Sequence, residues 1–328
     1  MRCGRRHSAA EYLPDPAGRL GQFLPLDLPQ RRFLERAQLV VAVVHPEHVI
    51  PPVSAPLPAR VDHAVSNQPE YDAAPDQGEQ LSNDEKFRRC HAVTARWEGG
   101  WSDHLADPGG KTMYGITEAV YHAWLAAGGD SPRPVRQITR TEAEAIYHDN
   151  YWLPCGGPTL SAGVDLATYD AGVNSGVSRA RKWLMASIGG PDHETVKRLC
   201  ARRLSFVQGL RTWTVFGRGW ANRIADIEAK GVARALASSG MTVAAVKDRL
   251  VGEAAAADST AERQAGGAAG AGIGGAGSVV AEQGGQMPAW MAASVVVACT
   301  VAVVAFLLRA RVNRARAAAY GAESAITG

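Results

Sequence analysis

The chain has 328 residues, a formal net charge of +3 and a pI near 8.6. That length suits two average domains, and so mild a basic excess assigns no nucleic-acid partner. The five cysteines, Cys3, Cys90, Cys155, Cys200 and Cys299, are scattered with no CxxC pair. They make neither a metal site nor a disulfide framework, and they leave the redox compartment open.

Residues 1–81 are proline-rich, and apolar periodicity is brief, around Phe33 to Val44. Such a segment buries too little apolar surface to offset its ordering entropy, so a disordered extension is expected. The Arg-rich start is followed by no apolar stretch, so no signal peptide is read. At Ser82 the character changes. Ser82 with Glu85 forms a capping box, and Phe87, Cys90, His91, Thr94 and Trp97 follow at helical spacing. Glu98-Gly99-Gly100 should end that helix. Asp107-Pro108-Gly109-Gly110 is a strong turn signal. A short hairpin is expected between Trp101 and Ile116, and Thr117 is a cap for the next helix.

Further helices are expected after Thr117 and after the second capping box, Thr139 with Glu142. Another begins near Val164, Ser178 and Asp192 are each expected to cap one more, and the last holds Trp220, Ile224 and Ile227. Strand signals are otherwise nearly absent, so the core reads as mainly α.

Glu98-Gly99-Gly100-Trp101, Ala106-Asp107-Pro108-Gly109-Gly110 and Tyr114-Gly115-Ile116-Thr117 resemble the signature of glycoside hydrolase family 108. The similarity runs on through Ile146-Tyr147, Tyr151-Trp152 and Asp170 to Gly176. It ends near Phe216-Gly217-Arg218-Gly219-Trp220 and Asn222-Arg223. That family comprises N-acetylmuramidases of phages, prophages and bacterial secretion loci. Trp101 stands where the family more often has Tyr, and Leu105 where it often has Pro. The resemblance implies a lysozyme-like catalytic segment over 82–160. A helical segment over 161–231, in the same globule, resembles the predicted peptidoglycan domain that follows it. No cofactor is implied.

After Gly231 the composition turns to alanine and glycine, and residues 232–286 read as a linker whose first part extends as a helix. Ala289 to Leu308 is a 20-residue run without charge. As a helix it would span roughly 30 Å, the thickness of a bilayer's hydrocarbon core. A transmembrane helix is therefore expected over 287–309, followed by a basic tail over 310–328. Arg309, Arg311, Arg314 and Arg316 put that tail in the cytoplasm by the positive-inside rule. A single span would then place the catalytic domain on the periplasmic, cell-wall side.

Glycoside hydrolysis needs a proton for the leaving oxygen and a negative or nucleophilic group for the oxocarbenium-like centre. Glu98, between Trp97 and Trp101 and shielded from water, is the expected general acid, able to keep its proton near neutrality. Asp107 lies nine positions after it and Thr112 fourteen. This spacing resembles the glutamate, aspartate and water-holding threonine of phage-type lysozymes. Asp107 reads equally well as a turn former before Pro108. Asp103 is an alternative second carboxylate, and Thr117 reads as a cap. Trp101, Tyr114, Tyr151 and Trp152 are candidates for sugar stacking or for the core. Asn174 and Ser175 are candidates for N-acetyl contacts. Arg218, Trp220 and Arg223 would touch glycan or peptide acids, or brace the last helix. No metal ligands are read, and His104 reads as a surface residue or a sugar contact.

The whole reads as a membrane-anchored peptidoglycan hydrolase cleaving the β-1,4 bond between N-acetylmuramic acid and N-acetylglucosamine. A holin is a candidate partner. A lytic transglycosylase and an inactive wall-binding module on a membrane anchor are the alternatives.

Overall fold

The computed structural model describes residues 81–103, 110–270 and 289–327. Helix α1 spans Asn83–Thr94. The Ser82 hydroxyl accepts from the Glu85 amide, and the Ser82 amide donates to the Glu85 carboxylate at 2.8 Å. A 3-10 turn over Ala95–Trp97 follows, and Glu98 is the first extended residue after it. Strands β1, Thr112–Met113, and β2, Ile116–Thr117, pair antiparallel, with Thr112 opposite Thr117 and Met113 opposite Ile116. Helix α2 spans Glu118–Ala127, with the Thr117 side chain accepting from the Val120 amide.

Helix α3, Arg140–Tyr147, starts on the Thr139–Glu142 box. It runs through a π turn at His148–Trp152 into one more turn at Leu153–Cys155. Helix α4, Val164–Ser175, is buried from Val164 to Asn174. Its apolar and small residues show no preferred face, as suits a helix surrounded on all sides. Helices α5 (Val177–Met185), α6 (Asp192–Gln208) and α7 (Trp213–Ser238) pack around it.

Phe87, His91, Tyr147, Trp152 and Tyr169 form an aromatic cluster in which α1, α3 and α4 meet. The core continues without a break from Phe87 and Cys90 through Leu166 and Leu199 to Ile227 and Leu236. The fold is thus mainly α with one small hairpin.

Thr242 caps helix α8, Val243–Ala269, by accepting from the Ala245 amide. Alanine has the highest helix propensity, and α8 gains tertiary support by packing along helix α9, Ala289–Ile326. Gly267 lies against the Phe306 ring, and Asn313 Nδ2 donates to Gln264 Oε1 at 3.0 Å.

The stretch Ala293–Ile326 contains a window long and apolar enough to cross a membrane. Almost none of that window is buried by the rest of the protein, so it is no core helix. Trp290, Val297 and Val301 are well exposed. From Arg309 onward the same helix turns inward, and Ala310, Val312 and Tyr320 are buried. Arg316 Nη2 donates to Glu228 Oε1 of α7 at 2.5 Å, and Tyr320 Oη donates to the same oxygen at 2.9 Å. The residues after Leu308 are thus packed against the domain.

Candidate active site

Glu98 leaves the 3-10 turn in an extended conformation, so its side chain points away from the axis of α1. Trp97 Nε1 donates to Asp226 Oδ2 on α7 at 3.1 Å, which fixes the residue before it. The Glu98 side chain is 13% exposed. Its Oε1 accepts from Arg223 Nη2 at 2.8 Å. Its Oε2 lies against Gly115, close enough that a Cβ added there would come within 2.8 Å. The hairpin turn is therefore seated on the carboxylate. Tyr147 Oη, beside it, donates to the Tyr114 carbonyl at 2.8 Å and holds the turn in place.

Arg223 does not serve Glu98 alone. Its Nη2 also donates to Asp170 Oδ1 at 2.8 Å, and its Nε lies 3.1 Å from both Asp170 oxygens. Arg203 Nη1 donates to Asp170 Oδ2 at 2.6 Å, and Arg203 Nη2 donates to Asn174 Oδ1 at 2.9 Å. Two acids and two arginines from four elements thus form one largely buried cluster. Burial by itself would raise the Asp170 carboxyl. The guanidinium groups of Arg223 and Arg203 outweigh it and hold the carboxyl below the usual carboxylate range. Burial would lower Arg223, and the carboxylates of Asp170 and Glu98 raise it instead. Burial, and then the charge of Glu98, push the Tyr151 hydroxyl up to about 12. Tyr151 thus belongs to the surroundings of Glu98, its ring tilted against that of Tyr147 with centroids 5.6 Å apart.

The other expected site residues separate into groups. Trp101 and Tyr114 are half-buried, with Arg136 over the Trp101 ring at 5.0 Å and Arg140 over the Tyr114 ring at 5.9 Å. The rings expected to shield Glu98 thus have other partners: Asp226 for Trp97 and Arg136 for Trp101. Trp152 is fully buried, and its Nε1 donates to Asn83 Oδ1 at 2.9 Å. Trp220 is buried against Trp213 and Phe216. Neither indole offers a face to a sugar. Asn174 is spent on Arg203, and the Ser175 carbonyl accepts from Arg179. Arg218 is exposed on α7.

Thr112 is buried and exchanges two backbone hydrogen bonds of 2.9 Å with Ser102. Its Oγ1 has no hydrogen-bond partner among the described residues. Asp107 and His104 lie outside the described residues, while Asp103 is exposed at the edge of them. Asp170 and Arg203 were not singled out from the sequence. Asp170 opens the Asp170–Gly176 stretch of the family resemblance and is an acid inside an otherwise apolar or small run from Leu166 to Val173. No local pattern pointed to Arg203.

Residues 91–176 match the family model described as Glycosyl hydrolase 108. The solved "Structure of Brucella abortus SagA" aligns at 32% identity, covering 46% of this chain and 97% of that one, with a TM-score of 0.41. The chain belongs to glycosyl hydrolase family 108. No curated protein matches it. As a family 108 member it is a glycoside hydrolase, and a peptidoglycan hydrolase of the lysozyme-like kind. The family match holds Glu98, Thr112, Tyr151 and Asp170 and ends at Gly176. Arg203 and Arg223, which complete the cluster behind Glu98, come from helices beyond it.

Proposed function

We propose that this family 108 hydrolase is an N-acetylmuramidase that cleaves the β-1,4 bond between N-acetylmuramic acid and N-acetylglucosamine, with Glu98 as general acid. One observation supports this above all. The Glu98 carboxylate is partly exposed at the end of α1, gripped on one oxygen by Arg223 and shaped on the other by the Gly115 turn. Glu98 gives its proton to the glycosidic oxygen as the bond breaks. Arg223 stands where it meets the negative charge that Glu98 gains in that step. Asp107 is the proposed second carboxylate, and the Thr112 hydroxyl, without a hydrogen-bond partner among the described residues, is a group that can hold the attacking water. Trp101, Tyr114 and Tyr151 remain the proposed sugar contacts. The helices over 161–231 supply the buried side of the site, Asp170, Arg203 and Arg223, besides any hold on the wall. The role is lysis of the bacterial wall as an endolysin, with a holin, a protein that opens the membrane, as the partner such a role calls for.

Glu98→Gln keeps the shape and one hydrogen-bond acceptor but cannot protonate a leaving group. It should fold with an unchanged circular dichroism spectrum and lose activity on purified peptidoglycan by about a thousandfold or more. Turnover above a few per cent of the unmodified chain would remove Glu98 from the role. Mass spectrometry of the products tests the reaction type. Reducing-end muramic acid is expected, whereas 1,6-anhydro ends, lighter by one water, would show a transglycosylase.

A further inference from the structure

We infer that the catalytic domain and the C-terminal segment lie on the same side of the membrane, and that this side is the cytoplasm. The argument starts at α9. Its first part, Ala289 to Leu308, is uncharged and largely exposed, and its length matches a bilayer's hydrocarbon core. Within the same continuous helix the next residues dock on the domain. Arg316 and Tyr320 share Glu228, and Lys230 pairs with Glu323 at 3.4 Å. Glu228 and Lys230 belong to α7, the helix that also brings Arg223 to Glu98. The end of the crossing that follows Leu308 is therefore fastened to the catalytic domain itself.

The other approach to the membrane starts from the same side. Helix α8 leaves the domain and runs alongside α9, with Gln264 bonded to Asn313 and Gly267 against Phe306. Both ends of the membrane-associated part thus begin at the domain. The chain between α8 and its C-terminus must then cross the bilayer an even number of times.

The flanking charges select the side. Arg263, Arg309, Arg311, Arg314 and Arg316 all stand at the domain end. Between Ala265 and Leu308 the one charged residue is Glu282. Such a bias leaves the basic end in the cytoplasm. The Glu228 cluster makes the attachment firm, because undocking would leave a buried carboxylate without its cation and its phenol. With the proposed function, this arrangement holds a wall-degrading enzyme on the inner face of the membrane, away from its substrate until the membrane is breached.

The test reads protease access and not activity, so its failure would leave the muramidase assignment standing. The full chain, carrying a C-terminal epitope, is produced in a Gram-negative host. Spheroplasts and inside-out membrane vesicles are then treated with protease. An antibody to the domain and one to the epitope report each side. Both should be protected in spheroplasts and both digested in inside-out vesicles. Digestion of one and protection of the other in the same preparation would overturn the shared side. Digestion of both in spheroplasts would overturn the cytoplasmic assignment. Recovery of the chain in the soluble fraction would overturn the proposal entirely.

Discussion

Arg223 divides one guanidinium between the acid proposed for catalysis and an acid with no access to substrate. Asp170 is what holds that guanidinium in place, and Arg203 completes its neutralisation. Asp170→Asn would leave two buried arginines facing one exposed-side carboxylate. A loss of about 3–5 kcal/mol is expected, measured by urea denaturation. His91 governs a different property. Burial pushes its imidazole down to about 4, while Nδ1 lies 2.8 Å from Tyr169 Oη. Between the unfolded value of about 6.5 and that folded value, only the unfolded chain binds the proton. Stability is thus fully present above the unfolded value and is lost as pH falls toward the folded one, by up to about 3 kcal/mol. Asp170 acts lower on the pH scale. Its contribution is fully present above the ordinary carboxylate range and is lost as pH falls through that range toward its depressed folded value. Melting curves from neutral to mildly acidic pH should therefore slope steeply in the unmodified chain and flatten in His91→Gln.

The hairpin is the element that shapes Glu98, and its turn shows why two residues suffice. Tyr114 has φ of +52° and Gly115 of +75°, the two positive values that a tight hairpin turn needs. Gly115 has a second reason to be glycine, since a methyl there would meet both Tyr147 Oη and Glu98 Oε2. Gly110 has a positive φ too, +67°, but open space around it. Comparing the two separates strain from contact. Gly110→Ala should cost about 1 kcal/mol and leave turnover nearly unchanged. Gly115→Ala should cost about as much and also lower kcat by about a hundredfold, because the carboxylate is displaced. Equal effects on kcat would show that the Gly115 contact with Glu98 does not position it.

At the scale of the whole molecule, the candidate membrane helix and the hydrolase pack together through Val312, Tyr320 and Glu228. The full chain should sediment with membranes and resist carbonate extraction. A chain ending at Ser239 removes α8 and α9 and should be soluble, and a full chain found soluble without detergent would disprove the span. The shortened chain also strips Arg316 and Tyr320 from Glu228, so it should melt well below the intact protein. Glu228→Gln should restore part of that loss in the shortened chain and destabilise the full one. This reversal is expected of a buried carboxylate that depends on its partners.

What the sequence determined by itself is local. Ser82 with Glu85, Thr139 with Glu142, and Thr117 each cap a helix where they were read, because a cap needs only its own next three residues. The break at Glu98 and the short hairpin were legible for the same reason, as was the uncharged run from Ala289 to Leu308. Tertiary structure decided the rest. Glu98 and Arg223 are 125 positions apart, so no spacing rule could pair them. Trp152 and Trp220 look like sugar platforms in a sequence and lie inside the core, since an indole fits either place and its surroundings choose. The tail after Leu308 looked like a free basic segment. Glu228, near the middle of α7, gives Arg316 a desolvated partner, and that contact sets the side of the membrane on which the enzyme is inferred to sit.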